Sequence, residues 1–457
     1  MADQQFDIVV LGGGSAGYAA AIRATQLGYS AAVIEKDKLG GTCLHRGCVP
    51  TKALLHSAEI ADVAREGEAY GVSSSVSGID IAGVTRFREK LVASKYKGLQ
   101  GLLKANKITV IEGEGKLVAS DAVQVGSERI VGKHIVLATG SFSRSLPGLD
   151  IEGRVITSEQ ALELQEIPKR VVILGGGVIG VEFASVWKSF GAEVTIIEGL
   201  PHLVPNEEES ISKQLERAFR KRGIDFKLGV RFKSVSQTSE SVTVTLEDGA
   251  TVDADYLLVA VGRGPVTQGL GFEEVGIEMD RGFVLANEHL ETNVSGVYAI
   301  GDIVPGLQLA HRSYQQGIFV AEQIAGLNPV TVQDANIPKI TYCDPEVASV
   351  GLTEAKAKEQ YGEDQVTSYE YNLAGNAKSS ILGTAGTVKA VRVNDGPVVG
   401  VHMIGARVGE LVGEAQLIVN WEAYPEDVAP FVHAHPTQNE TIGETMLKLA
   451  GKPLHAI

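Results

Sequence analysis

Two copies of one short pattern constrain this 457-residue chain more than anything else in it. Asp7-Ile8-Val9-Val10-Leu11-Gly12-Gly13-Gly14-Ser15-Ala16-Gly17 aligns without gaps on Arg170-Val171-Val172-Ile173-Leu174-Gly175-Gly176-Gly177-Val178-Ile179-Gly180, a constant offset of 163 residues (7 against 170). In each copy a β-branched strand runs into G-x-G-x-x-G. A helix-like stretch follows (Tyr18 to Leu27; Val181 to Phe190), and then a second apolar strand ending in acid at Glu35 or Glu198. Each acid stands 18 positions past the last glycine (17 to 35; 180 to 198), where a Rossmann unit needs it. The first glycine makes the tight turn, the second lets a pyrophosphate approach the backbone, and the third lets helix pack on strand. The helix N-terminus adds free N–H groups and a positive dipole end. A lone motif is a chance glycine turn as readily as a site. Two complete units in register imply two nucleotides and two domains.

Length supports more than one core, since single cores stop growing near ~250–300 residues. With 41 Lys+Arg against 56 Asp+Glu, a formal charge of −15 and no basic block, nucleic acid and anionic membranes are poor partners. Three cysteines do not make a secreted disulfide scaffold. The chain runs from Met1 directly into an apolar strand, leaving no room for a leader peptide, and no apolar run is long enough to span a bilayer. The expectation is a cytoplasmic protein in a reducing compartment.

Two of the three cysteines, Cys43 and Cys48, lie five positions apart just after the first unit. The spacing alone fits a metal half-site or a redox pair. Nothing else in the chain is spaced to finish a zinc cage, so no metal is expected. The flanks are more specific: Gly40-Gly41-Thr42 before the pair, and Val49-Pro50-Thr51-Lys52 after it. This segment closely resembles the active-site segment of the flavin disulfide reductases. The likeness extends along nearly the whole chain. Ile135 through Thr139-Gly140, and Leu257 through Gly262-Arg263, resemble the points where that family's chain crosses between its flavin and nicotinamide domains. Thr292 through Gly301-Asp302 resembles its second flavin fingerprint.

The resemblance implies an α/β fold of two Rossmann-like dinucleotide-binding domains, for FAD and NAD, plus a C-terminal α+β dimerisation domain. The expected ranges are 1–142 for FAD, 143–265 for NAD, 266–335 for a central domain completing the flavin site, and 336–457 for the interface. For FAD it implies Gly12, Gly14, Gly17, Glu35, Thr42, Lys52, Thr139, Gly140, Asp302 and Ala310. For NAD it implies Gly175, Gly177, Gly180, Glu182, Glu198 and Gly262. Glu198, with no Arg in Gly199-Leu200-Pro201-His202, favours NAD over NADP.

By the same resemblance Cys43 is the thiol that exchanges with substrate, and Cys48 the one facing the flavin. Lys52 is the lysine beside the flavin, and Glu182 its ion-pair partner. In His433-Ala434-His435-Pro436-Thr437-Gln438-Asn439-Glu440, His435 matches the family's catalytic base and Glu440 the carboxylate that orients it. His433 lacks that match and reads as supporting; Cys343 reads as a core residue. Two departures stand out. Asn and a small residue are common where this chain has His45-Arg46, so extra positive charge beside the thiols is expected to shift their redox poise. Gln438-Asn439 replaces a more usual Leu-Ser.

Within the family the chain resembles the dihydrolipoyl dehydrogenase branch. No C-terminal cysteine pair suggests mercuric reductase, and Glu198 argues against NADPH-linked glutathione reductase. Gly177-Val178-Ile179-Gly180-Val181-Glu182 and Leu309-Ala310-His311 fit that branch. The resemblance implies oxidation of protein-bound dihydrolipoamide with NAD+ and a homodimer in which one subunit's His435 serves the other's thiols. It further implies lipoyl domains of 2-oxo acid dehydrogenase complexes or of the glycine cleavage system as partners. The alternatives are another disulfide reductase of the family, an NADH oxidase or diaphorase with a regulatory disulfide, and a non-catalytic scaffold.

Overall fold

The computed structural model describes residues 4–456; Met1, Ala2, Asp3 and Ile457, which fall at the two ends of the expected domain ranges, lie outside the described residues. The first unit is built on a seven-stranded sheet. Its parallel centre pairs Gln4–Leu11 with Ala31–Glu35 on one side and Glu128–Leu137 on the other. These strands read as continuous apolar runs because both faces are buried, one under helices and the other under the antiparallel strands and the segment from Leu270 to Val304, so neither side alternates with polar residues. The far edge of the long strand Glu128–Leu137 is shared. Ala122–Val125 pairs antiparallel with its beginning, and Val297–Ala299 pairs parallel with its end. Residues almost 300 positions into the chain therefore complete the first sheet.

The helix Ala310–Ile324 then folds back onto the helix Ser15–Gln26. Small residues make this close approach possible. A Cβ on Gly317 would stand 2.5 Å from the Ala16 carbonyl oxygen and 2.8 Å from the Ala20 nitrogen.

The second unit repeats the plan in a five-stranded sheet, with Arg170–Leu174 between Glu193–Glu198 and Tyr256–Val259. A three-stranded antiparallel sheet, Phe232–Gln237, Val242–Leu246 and Thr251–Ala254, is inserted before its last strand. The chain enters and leaves this unit through a two-stranded ribbon, Ser141–Ser143 against Arg263–Pro265. Arg263 locks the ribbon, donating to the Ser141 hydroxyl, the Ser143 hydroxyl and the Ser141 carbonyl.

The C-terminal lobe is a five-stranded antiparallel sheet whose central hairpin joins Thr387–Val393 to Val398–Gly405 through Asn394-Asp395-Gly396. The helices Val408–Asn420 and Glu440–Leu449 pack on it.

Helix boundaries differ from the sequence reading in a consistent way. The two nucleotide-unit helices begin at Ser15 and Val178, three residues before Tyr18 and Val181. The third glycine of each motif lies inside the first turn, where close packing on the strand, rather than helix propensity, decides the residue.

The tight contact at Gly317 yields a test. Gly317→Val should overpack the junction between the two helices and lower the thermal unfolding midpoint, at a cost of roughly 1–3 kcal/mol. An unchanged melting curve would show that the junction has slack.

Candidate active site

The two glycine motifs are superimposable in their hydrogen bonds as well as their sequence. Gly12 and Gly175 turn the chain at φ +109° and +111°. A Cβ there would overlap the Ala138 or Ala260 carbonyl, and a Cβ on Gly17 or Gly180 would overlap the Gly12 or Gly175 carbonyl. A Cβ on either middle glycine, Gly14 or Gly177, would meet nothing within 4 Å. Two of the three positions are thus glycine for the fold, and the third faces open space at a helix N-terminus.

The acids close the same loops. Glu35 accepts from the Gly13 and Asp37 N–H groups at 2.7 and 2.9 Å, and Glu198 from those of Gly176 and Leu200 at 2.7 and 2.8 Å. A carboxylate has about four acceptor positions, so each keeps capacity for a ribose hydroxyl. Beside Glu35 a cavity of about 430 Å³ is lined by Asp37, Leu39, Tyr96, Leu103 and Ile108 among others.

Other residues singled out by sequence sit around the first unit and the ribbon. Thr139 donates to the Val266 carbonyl at 2.5 Å, while Gly140 and Gly262, at φ +79° and +112°, have open space where a side chain would be. Asp302 accepts from Ser141 at 2.5 Å, and Ser141 in turn accepts from Arg263 at 2.8 Å. Ala310 is the first residue of its helix, so its backbone N–H has no partner within the helix. Thr42 is half-buried in the short helix Gly41–Arg46.

Cys43 belongs to that short helix, and Cys48 opens the next, Cys48–Glu66. Lys52 lies one turn inside the second helix, which starts at Cys48. Its Nζ meets both oxygens of Glu182, at 2.8 and 2.7 Å, and stands 4.8 Å above the Tyr342 ring centre. Glu182 also accepts from the Tyr342 N–H at 3.0 Å. Sequence grouped Glu182 with the nicotinamide glycines as well as with Lys52; its carboxylate is engaged with Lys52 and Tyr342.

Both cysteines are free thiols in this structure. Their environments split them. The Cys43 thiol hydrogen-bonds the Cys48 sulfur, and this together with burial pushes the Cys43 pKa far up. Accepting that bond, helped by the Lys52 charge and opposed by desolvation, lowers the Cys48 pKa to about 7. The position at a helix N-terminus favours the thiolate too. Burial works against the Lys52 ammonium, but Glu182 outweighs it and holds its pKa above the usual lysine value. Near Cys43, burial and a hydrogen bond with Tyr314 keep Tyr18 protonated far above the usual tyrosine range. Tyr314, Tyr342 and Ser141 are residues the sequence reading missed; no motif marks them, and only the fold brings them to the site. Tyr18 and Arg263 stand in segments the sequence singled out, but nothing there gave them a role at the site.

The expected charge beside the thiols is not there. His45 contacts the Leu39 carbonyl at 2.9 Å and packs edge-on against Tyr96, while Arg46 pairs with Asp37 at 2.5 Å. Both are spent on the lip of the cavity next to Glu35, and the charges acting on the sulfurs are those of Lys52 and Glu182.

His435 and Glu440 stand together on the C-terminal lobe. Nδ1 of His435 is 2.9 Å from one Glu440 oxygen, and the other oxygen accepts from the Thr437 N–H at 2.8 Å. A carboxylate only accepts, so Nδ1 carries the proton and Nε2 is the basic nitrogen. The His435 side chain is 72% exposed. Cys343 is buried, its thiol bonded to the Pro345 carbonyl. Among the described residues no cluster of side chains suits a metal ion, and no helix is long and apolar enough to cross a membrane.

Comparison with known proteins places this geometry. The family model described as pyridine nucleotide-disulphide oxidoreductase matches residues 6–317. The chain belongs to that family. A second model, the family's dimerisation domain, matches residues 337–446, which include His435 and Glu440. A dihydrolipoyl dehydrogenase of Bacillus subtilis is 40% identical, covering 99% of this chain and 99% of its own length. A mitochondrial dihydrolipoyl dehydrogenase of Pisum sativum is 41% identical over 98% of this chain and 92% of its own. The crystal structure of LpdA from Mycobacterium tuberculosis superimposes with a TM-score of 0.90 at 27% identity, covering 98% of this chain and 99% of that one.

The split between the thiols can be measured without any cofactor. In the reduced protein one thiolate should titrate near pH 7, by its ultraviolet absorbance. Lys52→Met should move that titration up toward the ordinary thiol value of roughly 8.5. An unmoved titration would remove Lys52 as its cause.

Proposed function

We propose that this protein is a dihydrolipoyl dehydrogenase, oxidising dihydrolipoamide to lipoamide with FAD and NAD+. The observation that carries the reading is the asymmetry of the two thiols. The Cys48 pKa is drawn down, first by the neighbouring Cys43 thiol and then by Lys52, while that of Cys43 is pushed up. Relatives named for this activity match the chain almost end to end.

The residues fit both cofactors. In the first unit Gly14, the N–H groups at Ser15, Glu35 and Asp302 would hold FAD, with Thr42, Thr139, Gly140 and Ala310 along its length. In the second, Gly177, Glu198 and Gly262 would hold NAD. Bound FAD supplies the two-electron relay between dithiol and nicotinamide.

The protein's own groups do the rest. Nε2 of His435 takes a proton from one substrate thiol, and Glu440 stabilises the imidazolium that forms. The substrate thiolate attacks Cys43 Sγ in the oxidised pair, breaking the Cys43–Cys48 bond and leaving Cys48 as thiolate. The second substrate sulfur, deprotonated in turn, attacks the first at the mixed disulfide. Lipoamide leaves and Cys43 is released as a thiol. The electron pair given up at Cys48 and the proton given up by Cys43 together make the hydride that NAD+ receives, the Cys43–Cys48 bond re-forms, and His435 releases the substrate proton it still holds.

His435 serves the thiols of the other subunit in a homodimer. The partners are lipoyl domains of 2-oxo acid dehydrogenase complexes or of the glycine cleavage system. The setting is the cytoplasm, where thiols stay reduced.

Cys48→Ser should abolish dihydrolipoamide:NAD+ turnover while leaving bound FAD, read by its visible absorbance. Retained turnover would defeat the assignment. With Glu198 at the ribose site, kcat/KM for NADH should exceed that for NADPH by roughly tenfold or more, because a 2′-phosphate meets a carboxylate there. Equal values would mean Glu198 does not face the nucleotide.

A further inference from the structure

The loop that presents His435 runs between the short helix Pro425–Val428 and the helix Glu440–Leu449. Phe431, Val432 and His435 project outward from it. His433 points the other way, with a side chain only 13% exposed. Its Nε2 lies 2.7 Å from Oε1 of Glu414, on the helix Val408–Asn420. A carboxylate only accepts, so Nε2 is the donor, and the bond becomes a charge-assisted pair when Nδ1 holds a proton as well.

The second oxygen of Glu414 accepts from Nδ2 of Asn439 at 2.8 Å. His433 and Asn439 bracket the five residues that contain His435, so one carboxylate holds both ends of the presenting loop. Within it, Thr437 donates to Ala434 and Gln438 to Ala406. Room for the ring comes from Gly443, where a Cβ would stand 2.6 Å from His433 Nδ1.

We propose that His433 is a positioning residue for the thiol base, remaining protonated at neutral pH so that its ion pair with Glu414 fixes the loop that presents His435. The inference rests on reading His435 as the base. The charged groups facing His433 are Glu414 from one helix and Glu440 from the next, both anionic. Glu414 holds the His433 pKa above the ordinary histidine value, against burial. Burial opposes the Glu414 carboxylate, but His433 and Asn439 bring its pKa below the usual range. The two histidines thus divide the work, His433 keeping its proton while His435 gains and loses one.

The test uses the full-length, FAD-loaded protein with ¹⁵N-labelled histidine, and the variants Glu414→Gln and His433→Gln. In the wild type, ring nitrogen NMR should show His433 doubly protonated at neutral pH, and in Glu414→Gln it should be neutral. Dihydrolipoamide:NAD+ turnover should fall on the order of 10- to 100-fold in both variants, as a misplaced reacting group does. NADH-driven reduction of ferricyanide, which needs no thiol base, should stay within about twofold of wild type. A neutral His433 in the wild type, undiminished lipoamide turnover in both variants, or a parallel loss of both activities would overturn the proposal. A wild-type protein without lipoamide turnover would instead defeat the functional reading, while the NMR result would still decide the charge on His433.

Discussion

A single carboxylate ties the three parts of this molecule together. Glu182 belongs to the second nucleotide unit, Lys52 to the cysteine helix of the first, and Tyr342 to the start of the C-terminal lobe. Burying such a pair gives little net stability, because desolvation offsets most of the attraction. Removing one partner is another matter, since it strands the other charge in the protein interior. The pair therefore works as a register device. It allows one alignment of the cysteine helix on the second unit, and in that alignment the ammonium lies one helical turn below Cys48. The same contact that docks the units sets the charge on the sulfur.

The duplication supplies everything the two nucleotide units share, and the differences between them come from the remainder of the chain. In both, an inward-turned acid closes the glycine loop and the middle glycine faces open space. Only the first unit borrows a strand from far downstream, Val297–Ala299, and with it the turn carrying Asp302. Arg263 and Ser141 join that turn to the ribbon through which the chain passes between the units. The late strand, the ribbon and the Lys52–Glu182 pair thus fix the two mouths relative to each other.

What was legible in the sequence follows from what local pattern can encode. Strand–glycine–helix–acid is a local pattern, so both nucleotide units and the cysteine segment could be read directly. The Lys52–Glu182 pairing spans 130 positions and was accessible only through family resemblance. Tyr18 against Tyr314, and Ser141 between Asp302 and Arg263, carry no motif at all. His45-Arg46 failed for a different reason. Adjacency to Cys43 and Cys48 suggested that their charge acts on the sulfurs. The direction of a side chain, however, depends on the backbone that feeds it, and Gly40 and Gly41, at φ +100° and +57°, turn the short helix so that both residues reach Leu39 and Asp37. Gln438-Asn439 shows the converse. That departure from the more usual Leu-Ser contributes two of the anchors of the His435 loop.

The placement of the base decides what kind of assembly the chemistry needs. Glu440 occupies Nδ1 of His435, so the basic nitrogen is the outward one, on a side chain that its own lobe leaves largely exposed. The thiols answer to different neighbours, Lys52 and Glu182, on the other two parts of the chain. A base that faces outward can work only on a sulfur brought to it by another surface. That the family's dimerisation domain covers this stretch is then a statement about catalysis as much as about assembly. In the proposed function, pairing two chains would set the outward-facing base of one against the thiols of the other; the apolar residues that flank the base, Phe431 and Val432, are exposed on the same loop. Such an arrangement would lose activity whenever the chains separate, so it calls for a His435 loop held rigid by its own lobe. The anchoring of that loop at both ends to one carboxylate on the helix Val408–Asn420 is what the proposal above draws on.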